Sequence, residues 1–194
     1  MNRETWLTDA VVEVSAILLD KTEIEVPEVR VSTGWPSTRG TSMKKRRVGE
    51  CWKPEVAADG VSQIFISPVL MDPIQILGVL MHELIHAWDK CEHGHRGVFV
   101  KTAKAAGMVG PWTATGIDAE LLHPLLEEVV TRLGEYPHSA LSPTLQRKPQ
   151  TTRMIKIEAD ECGCIARTTR KYLDTDDGDF ACPHGNRMIE VLPA

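Results

Sequence analysis

His82-Glu83-Leu84-Ile85-His86 is the stretch of this 194-residue chain whose residue types and spacing are best suited to chemistry. On a helix, residues four apart lie one above the other, so His82 and His86 can offer two imidazole nitrogens to one metal ion. Glu83, one position along, stands where it can take a proton from a metal-activated water without competing as a ligand. The competing reading is a core helix whose histidines bond only to carbonyls.

The flanking residues make a helix that could position these groups. Asp72-Pro73-Ile74-Gln75 reads as a helix start, with Asp72 as N-cap, Pro73 at the first helical position and Gln75 placed for a capping box. Ile74, Leu77, Leu80, Met81, Leu84, Ile85 and Trp88 then recur at helical spacing as a wide apolar stripe. A buried helix with two histidines and a glutamate must satisfy those polar groups, and a metal does so directly.

A catalytic zinc needs three protein ligands and an open position. The metzincin spacing would place glycine at 89 and histidine at 92, but those positions hold Asp89 and Glu92. Glu120, Glu127, Glu128 and Asp118 are candidates from later in the chain. His95, in the turn just after the helix, is the most economical, with His93 its rival across Gly94.

His82-Glu83-Leu84-Ile85-His86-Ala87-Trp88, followed by Gly94-His95 and Phe99, resembles the SprT-like (Spartan) family of zinc metallopeptidases. The preceding Phe65-Ile66-Ser67-Pro68-Val69-Leu70 is similar to the strand that enters that family's active-site helix. The resemblance implies an α+β, zincin-like minimal metalloprotease domain with His82, His86 and His95 as zinc ligands and Glu83 as general base. It also implies protein or peptide substrates, including DNA-associated proteins, and a local nucleic-acid contact.

Cys162-Gly163-Cys164 and the later Cys182-Pro183-His184 form two closely spaced pairs of soft ligands, which suggest a closed structural zinc site. So short a segment has little core of its own, and a metal would supply the missing stability. Some SprT-like proteins end in a zinc ribbon, and the resemblance puts His184 in place of the last cysteine. The expectation is thus one catalytic and one structural zinc. Arg147, Lys148, Arg153, Lys156, Arg167, Arg170, Lys171 and Arg187 lie in or beside this module and could meet phosphate. Asp174, Asp176, Asp177 and Asp179 oppose that reading.

Length suits one ordinary domain plus a small appendage, expected as a peptidase domain over 1–138, a linker over 139–150 and a zinc-ribbon-like module over 151–194. Hydrophobic residues at 42% and charged residues at 25% fit a globular protein, and the net charge of −5 argues against a surface coated for nucleic acid. The first residues read as an amphipathic helix rather than a signal peptide, and no apolar run is long enough to cross a bilayer. Five cysteines, an odd count, favour a reducing compartment, so the expected location is cytoplasmic, away from membranes.

Strands are expected over 26–32, 61–67, 154–157 and 188–192, and further helices over 97–106 and 117–133. Lys44-Lys45-Arg46-Arg47 reads as a solvated loop, or else as a contact for phosphate or an acidic substrate. Two other functions compete with peptidase chemistry: a non-catalytic zinc-dependent module that binds nucleic acid or protein, and a metal-dependent hydrolase of non-peptide bonds.

Overall fold

A computed structural model describes residues 1–143, 154–173 and 180–191, which fall into two compact units, Met1–Gln146 and Arg147–Ala194. The fold is mixed α+β with small sheets.

The first unit opens with α1 (Arg3–Thr22), capped by Asn2, whose side chain accepts from the Thr5 N–H at 2.8 Å. Its apolar positions Trp6, Leu7, Ala10, Val14 and Leu18 face the core and are fully buried. β1 (Val29–Thr33), β2 (Gly49–Trp52) and β3 (Ser62–Ile66) form a sheet in the order β1-β3-β2. β1 runs parallel to β3, with Val31 opposite Ile64, and β2 runs antiparallel to it, with Gly49 opposite Ile66. The strand expected over 61–67 is therefore the centre of the sheet. The sheet's second edge is β2, in a region where the sequence reads as loop followed by no clear strand.

Helix α2 (Pro73–Trp88) begins as its cap residues require: the Asp72 carboxylate accepts the Gln75 N–H at 2.7 Å, and Pro73 gives up no useful donor in the first turn. Ile76, Leu77, Leu80, Met81, Leu84 and Ile85 are fully buried against α1, β3 and α4 (His123–Leu133). α3 (Gly97–Ala105) adds Phe99 and Ala103 to that core. Between α3 and α4, β4 (Met108–Val109) and β5 (Gly116–Ile117) make a short antiparallel pair.

The helix expected over 117–133 thus starts at His123. Pro124 lacks an N–H and fits only a first helical turn, while the Asp118 carboxylate accepts the Glu120 and Leu121 N–H groups and closes a turn ahead of it. Residues just before and at the start of the expected linker also belong to the first unit. Tyr136, ahead of it, donates to or accepts from Thr33 at 3.1 Å with its ring edge-on to Trp6, and within it the Leu141 N–H bonds the Pro68 carbonyl at 2.8 Å. The rest of that linker, 144–150, lies outside the described residues.

In the second unit, β6 (Ile155–Ala159), β7 (Ile165–Thr168) and β8 (Met188–Glu190) form an antiparallel sheet ordered β7-β6-β8. Ile157, Ala159, Cys182 and Met188 make its small core. Among the described residues, no helix is long and apolar enough to cross a membrane.

Candidate metal centres

Two groups of side chains converge as metal ligands would: His82, His86 and His95 in the first unit, and Cys162, Cys164, Cys182 and His184 in the second. α2 delivers the first two histidines from adjacent turns. The loop after it delivers His95, turning through Gly94 at φ +53°, a left-handed conformation that glycine adopts freely. The three Nε2 atoms form a nearly equilateral triangle with sides of 3.1, 3.2 and 3.2 Å. Nitrogens at the usual zinc distance in a tetrahedral site lie about 3.3 Å apart, so the triangle is close to the size that zinc needs.

Protonation suits the same role. Burial, then the neighbouring His86 and His95, pushes His82 down to about 3, and burial foremost takes His86 to about 4. His95 is lowered too, by burial and by Arg47. Each shift favours the neutral ring, the form that ligates a metal, and the three Nε2 atoms converge on one point. Thr115 meets the first of them: its Oγ1 lies 3.0 Å from His82 Nδ1, where the hydroxyl can accept the ring proton of the tautomer whose Nε2 is bare. Phe99 stacks on His86 with centroids 4.3 Å apart. His86 Nδ1 is the one buried side-chain polar atom that lacks a partner among the described residues.

His93 is drawn elsewhere. Its ring and backbone N–H both bond the Asp89 carboxylate, at 2.6 and 2.9 Å, which takes it out of the cluster. The other candidate third ligands are likewise engaged away from it. Asp118 closes the turn before α4, Glu127 faces His123 at 3.7 Å and Glu128 faces Arg132 at 3.9 Å; Glu120 is exposed.

Glu83 is buried beside the triad, between α2 and the edge strand. An added Cβ on Gly49 would sit 2.5 Å from Glu83 Oε1 and 2.6 Å from Val79 Cγ1, so only glycine lets the strand approach this closely. Burial first, then the Cys91 thiol, raises the Glu83 carboxyl to about 8, while Arg47 and a backbone hydrogen bond from Cys51 act in the opposite direction. The Cys91 thiol donates to the Cys51 carbonyl at 3.7 Å and ties the loop after α2 to β2.

These shifts predict how the metal-free first unit responds to pH. The histidines are depressed in the folded chain, so their contribution is present above the ordinary 6.5 and is lost as pH falls toward 4 and 3. Glu83 is raised, so its contribution is full below the ordinary 4.5 and is lost as pH rises through about 8. The melting temperature in chelator is therefore expected to peak near pH 6.5, and Glu83→Gln should flatten the alkaline side. Tryptophan fluorescence isolates this unit, because all five tryptophans (Trp6, Trp35, Trp52, Trp88 and Trp112) belong to it.

Thr115 is a residue that the sequence reading missed; it lies 33 positions from His82, and nothing local marks it. Thr115→Val is expected to weaken zinc affinity by about 10- to 100-fold, measured by competition with a chromophoric chelator. Unchanged affinity would mean that His82 is oriented by packing alone.

In the second unit, Cys162 Sγ lies 3.4 Å from Cys182 Sγ, and Cys164 Sγ 3.4 Å from His184 Nδ1. All four ligand atoms fall within 4.8 Å of one another, which is compatible with tetrahedral zinc, where sulfurs lie about 3.7 Å apart. Each pair is held in its own turn. Gly163 N–H bonds the Ala159 carbonyl at 2.8 Å, and Gly185 N–H bonds the Cys182 carbonyl at 2.8 Å, both glycines having positive φ. The Cys164 backbone N–H, then the Cys182 thiol, holds Cys162 below the usual thiol range, while the Cys162 thiol raises Cys164 to about 11.

Two basic residues of this unit are already paired: Arg170 bonds Glu190 through both terminal nitrogens at 2.8 and 2.7 Å, and Lys156 bonds Glu158 at 2.6 Å. That lessens the charge left to meet phosphate. Arg147, Lys148, Arg153 and the aspartates at 174, 176, 177 and 179 lie outside the described residues.

The chain matches no protein-family model, no curated protein and no solved structure. The class that its fold and sites define is a mixed α+β protein with two Cys/His clusters compatible with zinc.

Proposed function

We propose that the first unit is a zinc metallopeptidase with a zincin-like arrangement of the SprT-like kind, and that the second is a module held by structural zinc. The observation that carries this reading is the three-histidine triangle on α2 and its following loop, with a buried carboxylate next to it. Zinc bound there supplies Lewis acidity, which brings a coordinated water toward neutral pKa and polarises a carbonyl.

The chain's own residues do the rest. His82, His86 and His95 hold the ion as neutral ligands, and Thr115 keeps His82 in the ligating tautomer. Glu83 accepts the proton of the attacking water at its carboxylate and returns it to the departing amine nitrogen. A cation beside Glu83 favours the ionised form that this base needs, against the burial that raises it. The nearby edge strand β2 suits an extended substrate at its Gly49 end, where an edge can take up a peptide as one more strand, while the backbone of Cys51 is held by Glu83 and Cys91.

A non-catalytic binding module would call for a closed fourth ligand, and the two residues nearest in sequence argue against one: His93 is bonded to Asp89, and Glu83 packs against Gly49. The test is incubation of an unfolded protein with the zinc-loaded chain, with small esters and amides in parallel and new peptide termini read by mass spectrometry. Cleavage should stop on chelation and return with zinc. A zinc-loaded chain that hydrolyses only the esters, or nothing, would sink the proposal.

A further inference from the structure

The run Lys44-Lys45-Arg46-Arg47 reads from sequence as solvent-facing charge, but its last member stands apart from the rest. Arg46 Nε is turned back onto the Ser42 carbonyl at 2.8 Å, while Arg47 Nη1 bonds Glu50 Oε1 at 2.6 Å. Glu50 is a firm anchor. Its side chain is only 10% exposed, and it also accepts the Ser37 N–H at 2.8 Å, the Ser37 hydroxyl at 2.6 Å and the Trp52 indole N–H at 3.1 Å. Burial works against the Glu50 charge, yet the bonds from Ser37, Arg47 and Trp52 outweigh it and keep the carboxyl below its usual range.

Arg47 is therefore held in place while 48% of its side chain stays open to solvent. The Glu50 bond is its only polar contact among the described residues, so Nε and Nη2 are left over. That is the fork with which a guanidinium grips a carboxylate in two parallel bonds.

Its position along the edge strand is equally specific. The Ser67 N–H bonds the Val48 carbonyl at 2.9 Å, and the alternation of an antiparallel ladder then turns the backbone groups of 49 and 51 away from β3; those of Cys51 are held by the Glu83 carboxylate and the Cys91 thiol, which leaves the stretch leading into Gly49 for a substrate. Gly49 lies against Glu83. A peptide laid along this edge advances about 3.3 Å per residue, so the residue facing Arg47 is two places from the one facing Gly49 and the base. The Arg47 charge also reaches Glu83, His86 and His95, so it stands near the cluster.

We propose that Arg47 is a specificity-determining residue that binds an acidic side chain of the substrate about two positions from the scissile bond. The inference rests on the peptidase reading and deepens it, by naming acidic segments of proteins as the preferred substrate class. A peptide is favoured over nucleic acid because one anchored fork beside a buried carboxylate suits a single carboxylate better than a continuous row of phosphates.

The experiment measures kcat/KM, with KM separated from kcat, for peptides matched except for Asp, Asn or Lys at each position within three residues of the cleaved bond. The wild-type chain should prefer Asp to Lys at one position by about tenfold or more, mainly through KM. Arg47→Glu should invert that preference, and Arg47→Lys should keep its direction with reduced size. Zinc content and tryptophan fluorescence confirm that each variant is folded; should Arg47→Glu fail there, Arg47→Gln is expected to abolish the Asp preference.

Equal wild-type rates on Asp and Lys peptides would overturn this inference alone. So would a folded Arg47→Glu chain with the wild-type preference, or one that loses affinity for single-stranded DNA while its peptide ratios stay the same. Failure of the wild-type chain to cleave any peptide would overturn the peptidase reading, and this inference with it.

Discussion

Glu83→Gln is expected to bind zinc in the first unit as the wild-type chain does and to lose peptide hydrolysis by about 10²- to 10⁴-fold, the range that a positioned general base supplies. The substitution suits the test because it changes little else. Glutamine has nearly the same shape and still accepts the Cys51 N–H, so the close packing against Gly49 and Val79 is kept. Ligation by His82, His86 and His95 does not involve the side chain. The effect should fall on kcat with little change in KM, since the base acts in the transition state. Retained turnover in a zinc-loaded Glu83→Gln chain would remove Glu83 from the base role and leave the triad without a proton acceptor.

Cys182→Ser is expected to unfold the second unit while leaving the first intact. The core there consists of Ile157, Ala159, Cys182 and Met188, too few buried groups to offset the chain entropy of the sheet. Structural zinc in small Cys/His sites contributes on the order of 10 kcal/mol to folding, so the loss of one thiolate decides between folded and unfolded. Cys182 is also the one ligand of this set that is buried in the core, which makes its loss the hardest to absorb. Hydrogen exchange should show the amides of β6 and β8 unprotected in the variant, with α2 as slow as in the wild type. Protection unchanged in β6 would mean that the sheet holds without its metal.

What could be read from sequence divides by whether the signal is local. The i, i+4 histidines and the glutamate between them, the Asp72-Pro73 start and the apolar stripe of α2 all lie within one helix, and periodicity exposes them. Pro124 is a local signal too: a proline fits the first helical turn and marks the start of α4 at 123 rather than 117.

Other features depend on partners far along the chain. The choice between His93 and His95 turns on where Asp89 points, and Thr115 comes to His82 across the β4–β5 pair. Gly49-Glu50-Cys51-Trp52 has no run of branched residues to mark a strand; it is one because Ile64 and Ile66 give it a ladder. Ile165–Thr168 likewise has no strand pattern of its own and is a strand because β6 pairs with it. Tyr136 sits among prolines and polar residues that read as linker, yet its ring meets Trp6 and its hydroxyl meets Thr33. By residue type Tyr136, His123 and His138 could each donate to the reacting oxygen, and nothing in the sequence selects one. None of the three has a contact with the histidine cluster: His123 faces Glu127, and His138 lies 3.1 Å from Arg3 and 3.2 Å from the Pro68 carbonyl.

The peptidase proposal requires the two clusters to be two separate zinc sites, one of them built on the α2 histidines. Elemental analysis of zinc per purified chain tests it most directly, with His82→Ala and Cys182→Ser alongside. The prediction is two zincs in the wild-type chain and one in each variant, the one remaining being at the unaltered site. A single zinc that survives His82→Ala would contradict the claim, because the histidine triad would then hold no zinc and the peptidase proposal would lose its foundation.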